Sequence, residues 1–197
     1  MARSVTPRTR MTAAERREQL LDVTKALVGE QGFHAVSIEA VARAAGITRP
    51  IVYGHFRDLG GLLRALLDRE SARALTQLAV LLPPPRETSE RPRDLLAAFT
   101  AFLAAVQSDP VTWRLVLMPP EGAPELLRER ITEGRAAIIA ALADVVRPGD
   151  SPDPELTARM LSALADEAAR LLLTDPAAFP VERLTTHARW MLSRLRA

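Results

Sequence analysis

The stretch "SIEAVARAAGITRPIVYGHF", residues 37–56, reads as two short helices joined by a tight turn. Ser37 and Thr48 each stand where a helix N-cap belongs, because a hydroxyl oxygen there can accept an orphaned first-turn N–H. Pro50 fits near the start of the second helix, where its missing N–H is no loss. Gly46 supplies the turn with a residue tolerant of positive φ. Ala42 is small where the helices must cross closely, and Val41, Ala45, Ile47, Val52 and Phe56 are spaced to bury the junction. The pattern is that of a helix-turn-helix, although an ordinary pair of core helices with a glycine turn shares much of it. At 100° per residue, Val52 and Phe56 lie on one side of the second helix, with Pro50, Tyr53, Gly54 and Arg57 opposite. A solvated face would carry Glu, Lys or Gln. Gly54 in mid-helix costs roughly 0.5–1 kcal/mol relative to alanine, a cost that close approach of the backbone to a partner can offset.

Working outward, the first helix begins at a T-x-x-E capping box, Thr12 and Glu15. Its apolar stripe includes Leu20, Val23 and Leu27, and Gly32 in "EQGF" ends it. Further helices are expected at about 37–44, 48–55, 58–82, 92–107, 110–117, 124–146, 153–174 and 181–196. The fourth is capped by Asp58, and "PPPRETSERP" forms a break after it. No alternating strand and no internal repeat is evident. The fold expected is all-α, with about nine helices.

The 197 residues suit a small domain fused to a larger one, divided here as 1–57 and 58–197, and 48% apolar content supports a real core. Cysteine is absent, which excludes disulfides and thiolate metal sites and fits a cytoplasmic protein. No apolar run is long enough for a membrane span, and "MARSVTPRTRMTAAERREQ" lacks the apolar core of a secretory signal. The net charge is +2, but up to Arg73 there are 12 Lys and Arg against 8 Asp and Glu. This basic excess suggests an anionic partner at the N-terminal end. Arg3, Arg8 and Arg10 fit a mobile arm that strengthens such binding, or a solvated tail with no role.

The stretch "GFHAVSIEAVARAAGITRPIVYGHFRD" resembles the TetR family of transcriptional regulators. That family typically shows G-x-x-x-[ST]-[VIT]-x-x-[IV]-A-x-x-A-G-[VI]-[ST]-x-x-x-[LV]-Y-x-[HY]-F. Gly32, Ser37, Ile38, Val41, Ala42, Ala45, Gly46, Ile47, Thr48, Val52, Tyr53, His55 and Phe56 match it. The resemblance covers about residues 12–70; beyond them only helix number and length are similar. It implies an N-terminal three-helix DNA-binding domain, and a C-terminal helical domain that binds a small inducer and dimerises. The implied protein is a homodimeric repressor on a pseudo-palindromic operator, released by a small, largely apolar ligand. By the family pattern, Thr48, Tyr53 and His55 contact phosphates, and Arg49, Pro50, Ile51 and Gly54 lie at or near base edges. Ser37 is counted with this DNA-binding set. Arg49 either reads guanine or pairs with a phosphate, and His55 is alternatively a packed helix residue. The sequence departs from the family at "FRDLGGLL", where a Lys-Glu step is usual. Either Arg57 takes over the lysine's phosphate contact or affinity for DNA is lower. Gly60 and Gly61 are expected to weaken the first turn of the fourth helix, so that alanine at both positions should raise stability.

In the second half, Phe99, Phe102, Trp113, Leu117 and Met118 are candidates to line the apolar pocket that the family implies. Plain core packing is the bland reading for each. Arg114, Glu133, Arg135, Glu167 and Arg170 are candidates to orient a ligand. The stripes Met160, Ala163, Leu164, Ala168, Leu171, Leu172 and Val181, Leu184, Ala188, Met191, Leu192, Leu195 suit a four-helix interface between two copies. His187 then belongs to that interface or to the ligand site. No enzymatic motif is present: the three histidines lie far apart in sequence, and adjacent Asp166 and Glu167 should point in different directions on a helix. No catalytic residue, metal site or cofactor is expected. A DNA-binding protein without a small ligand is the main alternative, and a helical enzyme a more distant one.

Overall fold

The structure, a computed structural model, describes residues 11–81, 91–118, 125–146 and 151–194. The basic arm of Arg3, Arg8 and Arg10, most of the "PPPRETSERP" break and Leu195 lie outside the described residues. Among those described, the chain runs α1 (Ala13–Gln31), a 3₁₀ turn (Phe33–Ala35), α2 (Ile38–Ala44), α3 (Arg49–Phe56), α4 (Leu59–Leu81), α5 (Arg91–Ser108), α6 (Pro110–Leu117), α7 (Glu125–Val145), α8 (Pro154–Thr174) and α9 (Val181–Arg194). This is the all-α architecture expected; only the 3₁₀ turn was not foreseen.

Local chemistry sets the helix ends. Thr12 and Glu15 form a complete capping box, with the Thr12 N–H donating to Glu15 Oε2 at 2.7 Å and the Glu15 N–H donating to Thr12 Oγ1 at 3.2 Å. Ser37 Oγ accepts the Ala40 N–H at 3.1 Å, and Asp58 Oδ1 accepts the Gly61 N–H at 2.6 Å. Thr48 occupies the N-cap of α3, yet its side chain makes no capping bond, contrary to expectation. Gly46 closes the turn at φ +67°, and the Ile47 N–H donates back to the Ala42 carbonyl at 2.9 Å.

The chain divides into two compact units between Leu66 and Leu67. The division falls within α4, whereas the sequence placed it at 57/58, because the first turns of α4, with Leu62 and Leu66 fully buried, belong to the first unit. In that unit Leu20, Leu21, Ile38, Val41, Ala42, Val52 and Phe56 are buried. Ala45 and Ile47, expected in the same junction, are only half-buried. The Arg17 guanidinium lies 4.8 Å from the centre of the Phe56 ring and ties α1 to α3.

Gly61 corrects a second expectation. A Cβ there would lie 2.2 Å from the Phe56 carbonyl oxygen. Gly61 is therefore required by the tight α3–α4 corner and cannot be replaced by alanine without opening it. Gly60 meets only the Asp58 carboxylate, at 3.3 Å.

The second unit builds its core from Ala74, Phe102, Leu103, Val106, Trp113, Ala169 and Leu173. Phe102 and Trp113 pack edge to face, their centres 5.1 Å apart. Ala168 and Leu172 belong to this core and not to an outward stripe. The reason is that α8 packs against α5, α6 and α7, and Ala168 and Leu172 lie on the side those helices cover. No single helix among the described residues is long and apolar enough to cross a membrane. The bent pair Leu95–Ser108 and Pro110–Leu117 passes by length and composition, but its Leu103, Val106 and Trp113 are core residues.

Candidate nucleic-acid interface and ligand cavity

The helix α3 separates its two sides cleanly. Val52 and Phe56 are buried, whereas Thr48, Arg49, Pro50, Ile51, Tyr53, Gly54 and Arg57 are exposed. Ile51 and Tyr53 keep 43% and 48% of their surface exposed, which no folding requirement explains. A Cβ added to Gly54 would meet nothing within 4 Å. His55 is half-buried, with its ring 6.2 Å from that of Phe56, so it sits at the edge of this face rather than on it. Ser37 is also half-buried, and its hydroxyl oxygen serves the α2 cap.

Two cations on this face are held in particular ways. Arg49 Nη1 donates to Glu39 Oε1 at 2.8 Å, bridging α3 and α2. The contact holds the Glu39 carboxyl below its ordinary range and pushes the Arg49 guanidinium up. Arg57 has φ +62°, in the left-handed region, at the end of α3. A side chain other than glycine there costs roughly 1–2 kcal/mol, so the arginine is kept at the expense of local strain. Together these residues present an aromatic hydroxyl, two guanidiniums, an apolar tip and bare backbone to one side. That combination can contact phosphates and base edges at once.

The second unit contains a cavity of about 390 Å³ between α4, α5, α6, α7, α8 and α9. Phe99, Phe102, Trp113, Leu117 and Glu167, anticipated from the sequence, line it. Met118 does not: it is the C-cap residue of α6, outside the helix, and 43% exposed. Among the charged residues anticipated, Arg135 and Glu167 line the cavity. Arg114 instead donates to the Leu173 carbonyl at 2.9 Å, Arg170 to the Leu117 carbonyl at 3.4 Å, and Glu133 is exposed. His187 also lines the cavity and stacks on Trp190 at 5.5 Å.

Asp166 was missed as a ligand candidate and is the most deeply placed acid of the wall. Arg135 Nη2 donates to its Oδ2 at 2.5 Å, and Arg170 Nη2 approaches the same oxygen at 4.0 Å. Arg170 also pairs with Glu167 at 3.3 Å. Asp166 and Glu167 both line the cavity, yet they turn to different partners, as expected: Asp166 to Arg135 on α7, and the exposed Glu167 to Arg170 on its own helix. Burial pushes the Asp166 carboxyl up, against the lowering effect of Arg135 and Arg170. The signal available in the sequence was its place one residue past the inward-facing Ala165 and one turn before Arg170. The Trp113 indole N–H is buried in the same wall and has no hydrogen-bond partner among the described residues. Nothing among the described residues groups three or more His, Cys, Asp or Glu side chains to hold a metal ion.

Residues 20–66 match the family model for bacterial regulatory proteins of the tetR family. The match ends where the first compact unit ends. The HTH-type transcriptional activator FasR of Mycolicibacterium smegmatis is 30% identical over 107 residues, which cover 54% of this chain and 48% of FasR. The chain thus aligns with about half the length of that relative. A tetR-family transcriptional regulator from Streptomyces coelicolor superposes with a TM-score of 0.73 at 25% identity, covering 94% of this chain and 82% of that one. A TetR-like regulator from Rhodococcus sp. RHA1 shares the fold at 22% identity, with a TM-score of 0.74 over 94% of this chain and 97% of its own.

Proposed function

Because this chain carries the N-terminal domain of the tetR family of bacterial regulatory proteins over residues 20–66, we propose that it is a DNA-binding transcriptional regulator. The observation that carries this reading is the exposed face of α3, where Thr48, Arg49, Pro50, Ile51, Tyr53 and Gly54 stand clear of the buried Val52 and Phe56. A helix presenting its backbone and such side chains fits the major groove, with Thr48, Tyr53, His55 and Arg57 toward phosphates and Arg49 toward a base edge.

The protein acts as a homodimer through α8 and α9. Leu156, Met160 and Leu164, spaced one turn apart on α8, and Trp190 on α9 are all at least half exposed. Covering such a stripe with its own copy removes apolar surface from water and fixes two half-sites about one helical turn apart. The cavity of the second unit, lined by Phe99, Phe102, Trp113 and Leu117, holds a largely apolar inducer. Binding there releases the operator, which makes the protein a repressor. The name of FasR, an activator, supports the opposite sign of control on the same DNA-binding reading.

Selection of the bound sequence from random DNA, followed by gel shift of the winning duplex, tests this function. A two-fold symmetric site bound by a dimer is the expected result. An asymmetric half-site bound by a monomer, or no selectable sequence, rejects it. A reporter behind the selected site then gives the sign of control.

A further inference from the structure

The cavity wall is mostly apolar and aromatic; besides Ser71, Ser162 and His187 it carries one small group of charges, and the members of that group differ in how firmly they are held. Arg135 is 44% exposed and sits at the rim, whereas the Asp166 side chain is 18% exposed and fixed between two helices of the wall. Glu167, which lines the same cavity, brings a second carboxylate. The groups lining the space therefore carry one guanidinium, two carboxylates and the His187 imidazole, with Arg170 behind both carboxylates.

Burial weighs against the charged form of Asp166 more than Arg135 and Arg170 favour it, so a donor that reaches its oxygens from the cavity side adds a partner the carboxylate can use. Arg135 can swing into water when another donor takes its place at Asp166, because its long side chain already reaches solvent. Asp166 cannot follow it. An incoming ligand is thus in a position to replace the arginine at the carboxylate, but not the carboxylate at the arginine. An anionic head would leave Asp166 facing only Arg170 at 4.0 Å. The rings of Phe99, Phe102 and Trp113 line the same cavity, and an aromatic face attracts a cation within about 6 Å of its centre.

We propose that the cavity takes an apolar molecule bearing a protonated amine, whose nitrogen displaces Arg135 and donates to the Asp166 carboxylate while its hydrocarbon fills the space between α4, α5 and α8. This inference rests on the cavity being a ligand site, as proposed above, and adds the chemical class.

Three probes that share one chain and differ in charge test it: decylamine, decanol and decanoate, titrated calorimetrically at neutral pH into the full-length protein. Decylamine should bind roughly tenfold or more tightly than decanol, as a charged hydrogen bond replaces a neutral one, and decanoate should bind most weakly. Asp166→Asn should remove the advantage of the amine and leave decanol unchanged. Arg135→Gln, at a half-exposed position, should strengthen amine binding by removing its competitor. Decanoate binding as tightly as decylamine, or an amine advantage that survives Asp166→Asn, overturns the amine class. Loss of amine binding in Arg135→Gln does so too. Binding of decanol without any preference among the three refutes the amine class while leaving the cavity a ligand site. Failure of all three to bind rejects both readings.

Discussion

Alanine placed at two helix glycines should have opposite effects on stability, and the difference follows from what each Cβ would meet. Gly54 lies in the middle of α3 on its exposed face, with no atom within 4 Å of the added carbon. Only helix propensity and the entropy of the unfolded chain then change, and Gly54→Ala should stabilise the free protein by roughly 0.5–1 kcal/mol. At Gly61 the same carbon would lie 2.2 Å from the Phe56 carbonyl oxygen and 3.3 Å from its carbon. Backbone must move to clear that overlap, and the 2.6 Å bond from the Gly61 N–H to Asp58 is lost or stretched with it. Losing a cap of this kind costs roughly 0.5–2 kcal/mol, which offsets the propensity gain before steric strain is counted. Gly61→Ala should therefore destabilise by about 1–3 kcal/mol. Urea unfolding followed by far-ultraviolet circular dichroism measures both, and an unchanged m-value keeps the comparison clean. Binding to the selected operator completes the test. Gly54→Ala should weaken it or change its base preference, because the methyl group stands where the helix backbone approaches the groove. A Gly54→Ala protein that is more stable and binds with the same affinity and preference eliminates the groove explanation. A Gly61→Ala protein as stable as Gly54→Ala refutes the steric reading of the corner.

Arg57→Gly should stabilise the fold by roughly 1 kcal/mol through relief of the positive φ. In the same variant the salt dependence of operator binding should flatten by about one phosphate contact, and an unchanged slope removes Arg57 from the interface. Glu39→Gln should free the Arg49 guanidinium, raising affinity for all DNA through loss of a negative charge while relaxing preference at one base pair; parallel site selections on the two proteins decide. Thr12→Ala should cost roughly 0.5–2 kcal/mol in chemical unfolding by removing the side-chain half of the capping box. Asp166 has a folded-state pKa raised above its ordinary value of 3.8. Its contribution to stability is thus full below that value and is lost as pH rises through the raised one. As pH rises above 3.8, the wild type should lose stability that Asp166→Asn does not; parallel pH profiles would contradict this.

Helix ends were legible because capping is local. Thr12, Ser37 and Asp58 announce their helices through contacts three residues away, a range that sequence spacing reports directly. The two sides of α3 were legible for the same reason, since 100° per residue places Val52 and Phe56 together without reference to the rest of the chain. Gly61 was misread because its constraint is a carbonyl across a corner, and a propensity scale contains no corners. Ala168 and Leu172 were assigned outward because a stripe on α8 does not reveal which of its neighbours will cover it. Asp166 was passed over since an acidic residue in a helix is usually solvated, and only the packing of α7 against α8 makes it a cavity group. Met118 failed by a single residue, where α6 ends.

The exposure of Arg49, Ile51, Tyr53 and Gly54 has a consequence for how such a protein diversifies. None of the four is buried, so replacing them leaves Val41, Val52 and Phe56 to hold the two helices together. Substitutions at positions of this kind usually change stability by no more than about 0.5 kcal/mol, apart from the gain expected at Gly54. After gene duplication, one copy can therefore accumulate changes across these positions and acquire a new target sequence without passing through an unfolded intermediate. Selection on recognition and selection on folding thus act on largely different side chains along the same two turns of helix, and they meet only where Arg49 bridges to Glu39 and where Gly54 and Arg57 trade stability for contact.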